Sequence, residues 1–461
     1  MQIVPFAHQF KKFVYQSAVV SHTDDTLTFT YHFQVMGTDD HSAPHVFTPS
    51  LSIAGVSEEQ LQLLGKKRVE HYAFLLGLCE IPSYWKAVLT PEIEIACDSL
   101  SATQLEFWKN LLIEGLGEFF YVNQIAPIHP EWSVQSDDSA PIERAQPLTE
   151  SKRVLVPVGG GKDSIVTLEL LAAAGYDIFT TSGNKGASPQ VVEQFTKEHQ
   201  LHGNILFSRT LDPFLFELNA NGYPNGHTPF SSILAFLTTL IADLNSIPFV
   251  ALSNERSANE PTGVWQGQAV NHQFSKSLEF ERDVQEYLRS SFNSVPTYFS
   301  FLRPWYEVQI LKAFTAYPQY FPIFKSCNVG QKLNQWCGNC AKCTFVALLL
   351  SAFLPEEQVT GIFGKEMLAD VTLKPYIAEL IGQTEYKPFE CIGTIEESQV
   401  ALWMTAKHYQ DKTLPPLLES FASFLSDHAQ RLEELSKSLL AQRSDEHCIP
   451  AQFISALPLH P

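Results

Sequence analysis

The sequence predicts an α/β fold with a parallel sheet at its centre. Short apolar runs alternate with helical segments from Arg153 to Leu252, and this alternation is typical of parallel strands joined by helical crossovers. Strand-like and then amphipathic helical patterns precede this region, and mostly helical patterns follow it. We therefore expect an α+β N-terminal domain (residues 1–145), an α/β core (151–355) and a helical C-terminal region (356–461).

The N-terminal domain is predicted from two kinds of pattern. Thr26–Gly37 nearly alternates in polarity, which predicts a strand paired with Phe10–Val20. Glu58–Leu78 and Ala102–Val122 carry apolar residues at helical spacing, which predicts two amphipathic helices. Val134–Thr149 contains two prolines and two adjacent aspartates, and we interpret it as the linker to the core.

The core is predicted to contain four strands separated by helices. The strands are expected at Val154–Val158, Asp177–Thr181, Asn204–Phe207 and Pro248–Leu252, and the helices at Asp163–Ala174, Pro189–His199 and Phe230–Asn245. Sheets of this kind bind ligands beyond the carboxyl ends of their strands, so functional residues are expected there. In the C-terminal region, an amphipathic helix is predicted over Leu417–Gln442.

The composition is that of a globular protein with a sizeable core: 461 residues, of which 45% are hydrophobic and 18% charged. The formal net charge of -19 argues against a broad surface for nucleic acid or anionic lipid. The acidic excess lies in residues 1–150 and 356–461, whereas residues 151–355 contain equal numbers of acidic and basic side chains. Anionic small-molecule ligands therefore stay compatible with the core.

Three features predict a soluble cytoplasmic protein. The first residues lack the charged segment and apolar run of a secretory signal. The longest apolar runs, Ser231–Leu244 and Phe345–Leu354, fall short of the roughly 18 residues that span a bilayer. The eight cysteines are few for this length, and four are crowded between Cys327 and Cys343, which favours metal binding over disulfides.

A glycine-rich loop joins the first predicted core strand to its helix. It consists of Gly159, Gly160, Gly161, Lys162, Asp163 and Ser164. Because glycine has no Cβ, the backbone N–H groups can approach an anion, and the helix N-terminus adds partial positive charge. The spacing fits neither the Walker loop nor the dinucleotide-binding glycine pattern. The alternative is a tight strand-to-helix turn without a ligand.

The loop resembles that of the ATP pyrophosphatase (PP-loop) superfamily, whose pattern is Ser-Gly-Gly-x-Asp-Ser after the first strand of an α/β sheet. Gly160, Gly161, Asp163 and Ser164 are in register with this pattern. Gly159 stands where the usual residue is serine, which removes one hydroxyl donor to phosphate. The resemblance implies a PP-loop core that cleaves ATP between its α and β phosphates.

The same resemblance implies roles for the loop residues. The loop would hold the pyrophosphate portion of ATP, with Lys162 nearby and Asp163 helping to place Mg²⁺. Ser182 and Gly183, at the end of the second predicted strand, are the candidates for contacts with adenosine.

Two polar segments and one turn lie where a substrate crevice is expected. Ser253–Glu260 follows the fourth predicted strand, and Asn271–Glu279 comes soon after it. Asn225–His227 precedes the long predicted helix. The alternatives are solvated loops for the two segments and an ordinary turn for Asn225–His227.

Four cysteines have C-x9-C-x2-C-x2-C spacing: Cys327, Cys337, Cys340 and Cys343. Two-residue gaps let neighbouring thiolates converge on one ion, and tetrahedral zinc prefers such ligands. Gly338 supplies the turn within the segment. We therefore expect a structural zinc site. The alternatives are free thiols in a packed loop and, with less support because no thioredoxin-like strand precedes the segment, a redox pair.

The region from Arg153 to Leu354 resembles 7-cyano-7-deazaguanine synthase, a PP-loop enzyme with a four-cysteine zinc site. The whole chain is more similar to the UDP-N-acetyl-α-D-muramoyl-L-alanyl-L-glutamate epimerase (MurL) family. The segments that carry this resemblance are VPVGGGKDS, LSNERSANE, NHQFSKSLEFE, the cysteine cluster and KPFECIGT (Lys387–Thr394).

The family resemblance implies an ATP-dependent epimerase that converts the terminal L-Glu of UDP-N-acetylmuramoyl-L-Ala-L-Glu to D-Glu in peptidoglycan precursor synthesis. Adenylation would cancel the charge of the carboxylate beside Cα, and a general base would then remove the Cα proton. The candidates for that base are His227, Glu255, His272 and Lys276. The rivals are another PP-loop synthase or ligase, and a non-catalytic nucleotide-binding scaffold. The expected partners are ATP and the UDP-linked dipeptide, with the oligomeric state open.

Overall fold

The structure is a computed structural model, and it describes residues 9–39, 44–137, 139–149, 151–183, 186–330, 333–410 and 412–459. The chain divides into two compact units. The first comprises Met1–Leu155, Ile205–Val250 and Trp265–Tyr298, and the second comprises Val156–Asn204, Ala251–Val264 and Phe299–Pro461. Both units contain helices and strands, so a mixed α/β fold is confirmed. The pairing of strands is partly antiparallel, and the prediction of a purely parallel central sheet was therefore too narrow. The division into three segments stays a prediction.

The described residues form thirteen strands. They are β1 (Phe10–Thr23), β2 (Thr26–Gly37), β3 (His45–Phe47), β4 (Ser50–Ala54), β5 (Glu92–Leu100), β6 (Glu131–Ser136), β7 (Arg153–Pro157), β8 (Asp177–Gly183), β9 (Gly203–Thr210), β10 (Phe249–Leu252), β11 (Gly263–Trp265), β12 (Gln268–Val270) and β13 (Thr297–Ser300).

Eighteen α-helices lie in the same described ranges, together with short 3₁₀ turns. The helices are α1 (Glu58–Leu64), α2 (Lys66–Val88), α3 (Ala102–Gly115), α4 (Gly117–Val122), α5 (Lys162–Ala173), α6 (Ser188–Glu198), α7 (Pro213–Ala220), α8 (Phe230–Leu244), α9 (Leu278–Ser291), α10 (Glu307–Phe314), α11 (Ala341–Ser351), α12 (Glu356–Phe363), α13 (Lys374–Leu380), α14 (Ile395–Lys407), α15 (Pro416–Glu419), α16 (Ala422–Asp427), α17 (Ala429–Ala441) and α18 (Ala451–Ile454). The helical C-terminal region is therefore confirmed.

The first unit is built on a mixed sheet with the strand order β9–β4–β2–β1–β5–β6, and β3 pairs with β2. The pairs β1–β2, β2–β4 and β4–β9 are antiparallel, whereas β1–β5 and β5–β6 are parallel. Alternate residues of β2 are buried, including Phe29, Tyr31 and Phe33. Helix α2 packs against β1, and the Tyr15 hydroxyl donates to the Phe74 carbonyl at 3.2 Å.

A buried ion network fixes helix α8 within the first unit. The Asp243 carboxylate accepts hydrogen bonds from Arg68 Nε at 2.7 Å, Arg144 Nε at 2.9 Å and the Tyr72 hydroxyl at 3.0 Å. All four side chains are buried. A buried carboxylate is stable when it is paired and hydrogen-bonded, and both oxygens of Asp243 are. The network therefore holds the helix that directly follows Asn225–His227.

The second unit contains β8, the C-terminal ends of β7, β10 and β13, and the C-terminal helices. The backbone N–H of Val158 donates to the Thr181 carbonyl at 2.9 Å, so the chain leaving β7 runs beside β8. The first halves of β7 and β10 belong to the first unit and pair in parallel, with Phe249 opposite Val154. The parallel arrangement predicted for this pair is confirmed.

Three predicted helices are divided in the structure. Glu58–Leu78 falls in α1 and α2, because Gly65 between them has a φ of +86° that interrupts the helix. Ala102–Val122 divides at Leu116 into α3 and α4. Leu417–Gln442 spans α15, α16 and α17. The predicted helical segments are therefore correct, but their continuity is not. The amphipathic character predicted for Glu58–Leu78 was wrong in its second half, because every residue of α2 from Tyr72 onward is buried.

The predicted linker at Val134–Thr149 was wrong at its start. Strand β6 extends to Ser136 and pairs in parallel with β5, which is distant in sequence. A local pattern of prolines and aspartates cannot predict that a segment pairs with a strand elsewhere in the chain. In the part of the chain that the structure describes, none of the helices is both long enough and apolar enough to cross a bilayer.

Candidate functional site

The glycine loop lies in the second unit, between β7 and α5. Gly160 has a φ of +87°, and a Cβ at this position would lie 2.8 Å from backbone atoms of Ala187 and Ser188. Only glycine fits there without displacing the backbone. Gly161 is the N-cap of α5 and has an extended conformation. The first N–H groups of a helix have no partner within it, so this geometry suits an anion at the helix N-terminus.

Lys162 begins α5, and its side chain is buried between two carboxylates. Its ammonium lies 2.5 Å from an Asp163 oxygen and contacts Glu307, and the Lys162 and Glu307 side chains are each 2% exposed. Burial alone would lower the pKa of Lys162, but the charges of Asp163 and Glu307 raise it. Burial raises the pKa of Glu307 to about 7, against the opposing charge of Lys162. The lysine is therefore held charged at the loop.

The remaining loop residues differ in how tightly they are constrained. Ser164 is buried, and its hydroxyl donates to the Gly161 carbonyl at 3.0 Å. A Cβ on Gly159 would meet no atom within 4 Å, in contrast to Gly160. The loop is thus built around the close backbone approach at Gly160, and Gly159 is its permissive position.

Ser182 and Gly183 are the last two residues of β8. The hydrogen bond between Val158 and Thr181 brings the end of β8 beside the residue that precedes the glycine loop. Ser182 is buried, whereas Gly183 is partly exposed. Both residues therefore lie at the strand end where the predicted nucleotide contact was expected.

The polar segment after β10 holds the second unit together. The Ser257 hydroxyl donates to Glu397 at 2.6 Å, and the Lys387 ammonium lies 3.0 Å from Glu260. Lys387 belongs to the KPFECIGT segment, so two of the motifs singled out in the sequence contact each other. Glu255 is buried at the start of the 3₁₀ turn that follows it. Much of this polar segment is therefore used in packing.

His227 and His272 come together with Glu118 in the first unit. One Glu118 oxygen lies 3.4 Å from Nδ1 of His227 and contacts Nδ1 of His272. The imidazole centroids are 4.5 Å apart, with 49° between the ring planes. The three residues come from α4, the loop before α8 and the loop before α9. They are called the histidine cluster below.

Two lysines of the first unit affect the charge of the histidine cluster. The Lys86 ammonium, on α2, donates to the Thr228 hydroxyl at 2.9 Å and so holds the chain next to His227. Burial, together with the positive charges of His272, Lys86 and Lys276, lowers the pKa of His227 from 6.5 to about 3. His227 is therefore a neutral imidazole at neutral pH, which is the form that accepts a proton.

The four predicted metal ligands converge in the second unit. The sulfurs of Cys327, Cys337, Cys340 and Cys343 lie within 4.8 Å of one another, and those of Cys337 and Cys343 are 3.7 Å apart. Zn–S bonds of about 2.3 Å in a tetrahedron separate sulfurs by roughly 3.8 Å. Gly338 makes the turn with a φ of +65°. The donor set and its spacing fit zinc.

Backbone N–H groups support the thiolate form of this cluster. They belong to Gly330, Asn339 and Cys343, and they donate to cluster sulfurs at 3.2 to 3.5 Å. Hydrogen bonds from the backbone to sulfur orient ligands and stabilise their negative charge. Cys340 is also the N-cap of α11, which places its sulfur at a positive helix end.

Sequence reasoning missed three charged residues of these sites: Glu118, Lys86 and Glu307. Glu118 and Glu307 each lie in the first turn of a helix, and Lys86 lies near the end of the buried α2, so none belongs to a recognisable motif. Among the four base candidates, Lys276 shares the first unit with the two histidines, and Glu255 belongs to the second unit.

Comparison with known proteins identifies the family. Two family models match the chain, the MurL N-terminal domain over residues 6–301 and the MurL C-terminal domain over residues 323–436. The chain belongs to the MurL family. The N-terminal match includes the glycine loop and the histidine cluster, and the C-terminal match includes all four cysteines of the metal-ligand cluster.

Three curated relatives are each named UDP-N-acetyl-alpha-D-muramoyl-L-alanyl-L-glutamate epimerase. The relative from Micromonospora sp. is 38% identical over 310 residues, which cover 66% of this chain and 67% of the relative. The one from Salinispora tropica is 35% identical over 364 residues, or 77% of each chain. The one from Xanthomonas oryzae pv. oryzae is 34% identical over 345 residues, which cover 73% of this chain and 75% of the relative. The predicted MurL resemblance is confirmed.

Proposed function

We propose that the chain is an isomerase of peptidoglycan precursor synthesis that inverts the terminal glutamate of UDP-N-acetylmuramoyl-L-Ala-L-Glu. The observation that carries this proposal is the 34% to 38% identity with three epimerases of that name. The similarity extends over 66% to 77% of the chain, so it covers far more than one motif. We further propose that the reaction consumes ATP through an acyl-adenylate.

The glycine loop is the proposed ATP site, within a PP-loop core. Gly160 and Gly161 allow the backbone to approach the phosphates, and the N-terminus of α5 favours their negative charge. Lys162 adds a cation that its two carboxylate neighbours keep protonated. Asp163 would help to hold Mg²⁺, whose charge screens the phosphates. The other proposed nucleotide contacts are Gly159, Ser164, Ser182 and Gly183.

Adenylation makes the Cα proton removable. A carbanion beside a free carboxylate would add negative charge to an existing anion. When a carboxylate oxygen bonds to the α-phosphorus of ATP, the bond from that phosphorus to the bridging oxygen breaks and pyrophosphate leaves. The mixed anhydride has lost the carboxylate charge, and its carbonyl accepts the electron pair of the broken Cα–H bond as an enolate. Reprotonation from the other face and hydrolysis give D-Glu and AMP.

The histidine cluster is the proposed source of the general base. His227 is neutral at physiological pH, and His272 lies against it. General acid–base catalysis of this kind contributes about 10²- to 10⁴-fold to a rate. Lys276, whose charge acts on His227, and the buried Glu255 remain candidates for further proton transfers.

The cysteine cluster is the proposed structural zinc site. Cys327, Cys337, Cys340 and Cys343 would occupy all four positions of a tetrahedral ion, which leaves none for substrate. Zinc would tie the segment before α11 to the start of that helix and so contribute folding energy.

The proposed function is tested by incubating the protein with UDP-N-acetylmuramoyl-L-Ala-L-Glu, ATP and Mg²⁺ and measuring the chirality of glutamate after hydrolysis. We expect D-Glu with one AMP and one pyrophosphate per conversion and no change in substrate mass. A product of altered mass would instead indicate a synthase or ligase. Absence of substrate-dependent pyrophosphate release would favour the nucleotide-binding scaffold. If Asp163→Asn and Ser164→Ala both left ATP cleavage intact, the loop assignment would be wrong.

A further inference from the structure

Lys342 is a buried lysine in the second unit whose charge is not paired. It is the second residue of α11, between the cluster cysteines Cys340 and Cys343, and it is only 5% exposed. Within the part of the chain that the structure describes, its ammonium forms neither a hydrogen bond nor an ion pair. Burial of an unpaired charge is unfavourable, so this arrangement favours an anionic ligand beside Lys342.

We propose that Lys342 is a second cation of the phosphate site at the glycine loop, together with Lys162. The inference rests on the proposed function, because the anion that it assigns to Lys342 is the triphosphate of ATP. It is carried by the contacts between the glycine loop and the cysteine segment, by the burial of Lys342 and by the charges around Glu307.

The chain that leads into the cysteine cluster lies against the glycine loop. The backbone N–H of Lys325 donates to the Gly160 carbonyl at 3.0 Å. A Cβ on Gly161 would lie 3.6 Å from the Cβ of Ser326, which is ordinary van der Waals contact. Cys327 follows Ser326 directly, so the first ligand of the cluster is adjacent to residues that touch the loop. All five residues belong to the second unit.

The cysteine cluster connects this contact to the start of α11. The sulfurs of Cys327, Cys340 and Cys343 lie within 4.8 Å of one another. Cys340 is the N-cap of α11, and Cys343 lies in the first turn of that helix. The cluster therefore holds the helix end that carries Lys342 close to the segment that touches the glycine loop.

Helix packing brings Lys342 and Lys162 to the same carboxylate. Helix α10 packs against both α5 and α11, and its first residue, Glu307, contacts the Lys162 ammonium. Burial raises the pKa of Glu307 to about 7, and the charges of Lys162 and Lys342 oppose that rise. Coulomb interactions weaken with distance, so both ammonium groups are near the Glu307 carboxylate. Lys342 is thus a neighbour of the charge pair that begins at the loop.

Lys162 alone offers little free positive charge to a phosphate group. Its ammonium is shared between the carboxylates of Asp163 and Glu307. The charge of a third carboxylate, that of the buried Glu255, also acts on Glu307. An anion is repelled by these groups unless further positive charge is near. Lys342 can supply that charge because its ammonium is not held by an ion pair, and lysine is a common phosphate ligand.

The alternative is that Lys342 neutralises the thiolates of the cysteine cluster. Four thiolates around one zinc ion leave an excess of negative charge. However, cluster sulfurs accept hydrogen bonds from backbone N–H groups, and within the described ranges the Lys342 ammonium donates to none of these sulfurs. Burial raises the pKa of the nearby Glu390, and the charge of Lys342 opposes that rise, but the two groups form no ion pair. The observed contacts therefore favour an external anion.

The test compares Lys342→Met with the wild type as full-length proteins. Isothermal titration calorimetry measures the binding of ATP and of inorganic pyrophosphate, each with Mg²⁺. We expect Lys342→Met to weaken the binding of both by about 10- to 100-fold, which is the effect of losing one hydrogen bond to a charged group. Binding of both ligands at the wild-type affinity would overturn the proposal.

Lys365→Met is the matched control. Lys365 also lies beside the cysteine cluster, because a Cβ on Gly338 would be 2.8 Å from its Cε. Its ammonium, unlike that of Lys342, is paired with Asp370 at 2.7 Å. The control removes one positive charge from the same unit and should bind ATP and pyrophosphate as the wild type does. Equal weakening in Lys365→Met and Lys342→Met would overturn the proposal, because a general effect of charge would explain both.

Zinc content and urea denaturation separate a phosphate ligand from a partner of the cluster. Methionine keeps most of the apolar stem and removes a buried unpaired charge, so we expect Lys342→Met to match the wild type in both measurements. Loss of zinc or failure to fold would show that the cluster needs this charge, and either result would overturn the proposal.

The same experiment distinguishes failure of this inference from failure of the proposed function. If the wild type binds neither ATP nor pyrophosphate, the glycine loop is not the nucleotide site, and the role of Lys342 is overturned with it. If Lys342→Met weakens the binding of both ligands but the wild type forms no D-Glu, the role of Lys342 is supported and the proposed epimerase function fails.

Discussion

Lys162 in the second unit is buried and His227 in the first is partly buried, yet their neighbours leave them in opposite charge states. Burial lowers the pKa of each group, because it disfavours the protonated form of both. Beside Lys162, the carboxylates of Asp163 and Glu307 reverse that effect. Beside His227, the charges of His272, Lys86 and Lys276 reinforce it.

The comparison shows that neighbouring charges decide what each site can do. A permanently charged lysine at a helix N-terminus suits phosphate binding, whereas a neutral imidazole suits proton abstraction. The three predictions below test the two halves of this comparison, in order of expected size.

The largest effect is expected from Lys162→Met, which removes the cation and keeps most of the apolar stem. The buried Glu307 carboxylate then loses its partner, and breaking such a pair costs about 3 kcal/mol of unfolding free energy. The loss of unfolding free energy caused by Lys162→Met should be smaller at pH 6 than at pH 8, because an unpaired Glu307 can take up a proton at the lower pH. Urea denaturation of the variant and the wild type at both pH values measures this loss.

The matched control for that variant is Lys197→Met. Lys197 lies 3.1 Å from Glu193, but both side chains are more than half exposed. Exposed pairs contribute little, so we expect a change within about 0.5 kcal/mol. Equal destabilisation by the two variants would contradict the buried ion pair at the loop.

The next effect concerns the backbone of the loop. Gly160→Ala places a methyl group 2.8 Å from the backbone of Ala187 at a positive φ, so the loop must shift. We expect substrate-dependent pyrophosphate release to fall about 100-fold, or about 2.7 kcal/mol. Gly159→Ala meets open space and should cause a much smaller loss. Similar losses in both variants would show that the close approach at Gly160 does not matter.

The smallest effect is a pH dependence that comes from His227. Its folded-state pKa of about 3 lies below the unfolded value near 6.5, so the unfolded chain binds the proton first as the pH falls. The stability that this group contributes is present above pH 6.5 and is lost progressively toward pH 3. Between pH 7.5 and pH 5, the wild type should lose about 2 kcal/mol more than His227→Asn in urea denaturation. Parallel curves for the two proteins would contradict a histidine that folding holds in its neutral form.

The two regions also differ in how far the sequence predicted them. Gly159 to Ser164 is contiguous, so its strand, turn and helix could be anticipated from local chemistry, and β7 and α5 appear where expected. The spacing of the four cysteines likewise predicted their convergence, because two-residue gaps constrain where the side chains can go. Both features are formed by residues that are close in sequence, which is why the sequence alone could predict them.

The histidine cluster could not be assembled from sequence. Glu118, His227 and His272 are each separated by dozens of residues, and their meeting depends on how α4 and the loops before α8 and α9 pack in the first unit. His227 and His272 were candidates by residue type alone. Glu118 carried no local signal, since a carboxylate at the start of a helix is common for reasons of helix stability. The pairing of β5 with β6 was missed for the same reason.

The central claim is that removal of the Cα proton depends on prior adenylation, and one measurement tests it most directly. The wild-type protein is incubated with UDP-N-acetylmuramoyl-L-Ala-L-Glu in D₂O, with and without ATP and Mg²⁺, and Cα deuterium is measured by mass spectrometry. We predict deuterated glutamate, including D-Glu, only in the complete mixture and together with AMP. Deuterium incorporation that proceeds equally without ATP would contradict the account.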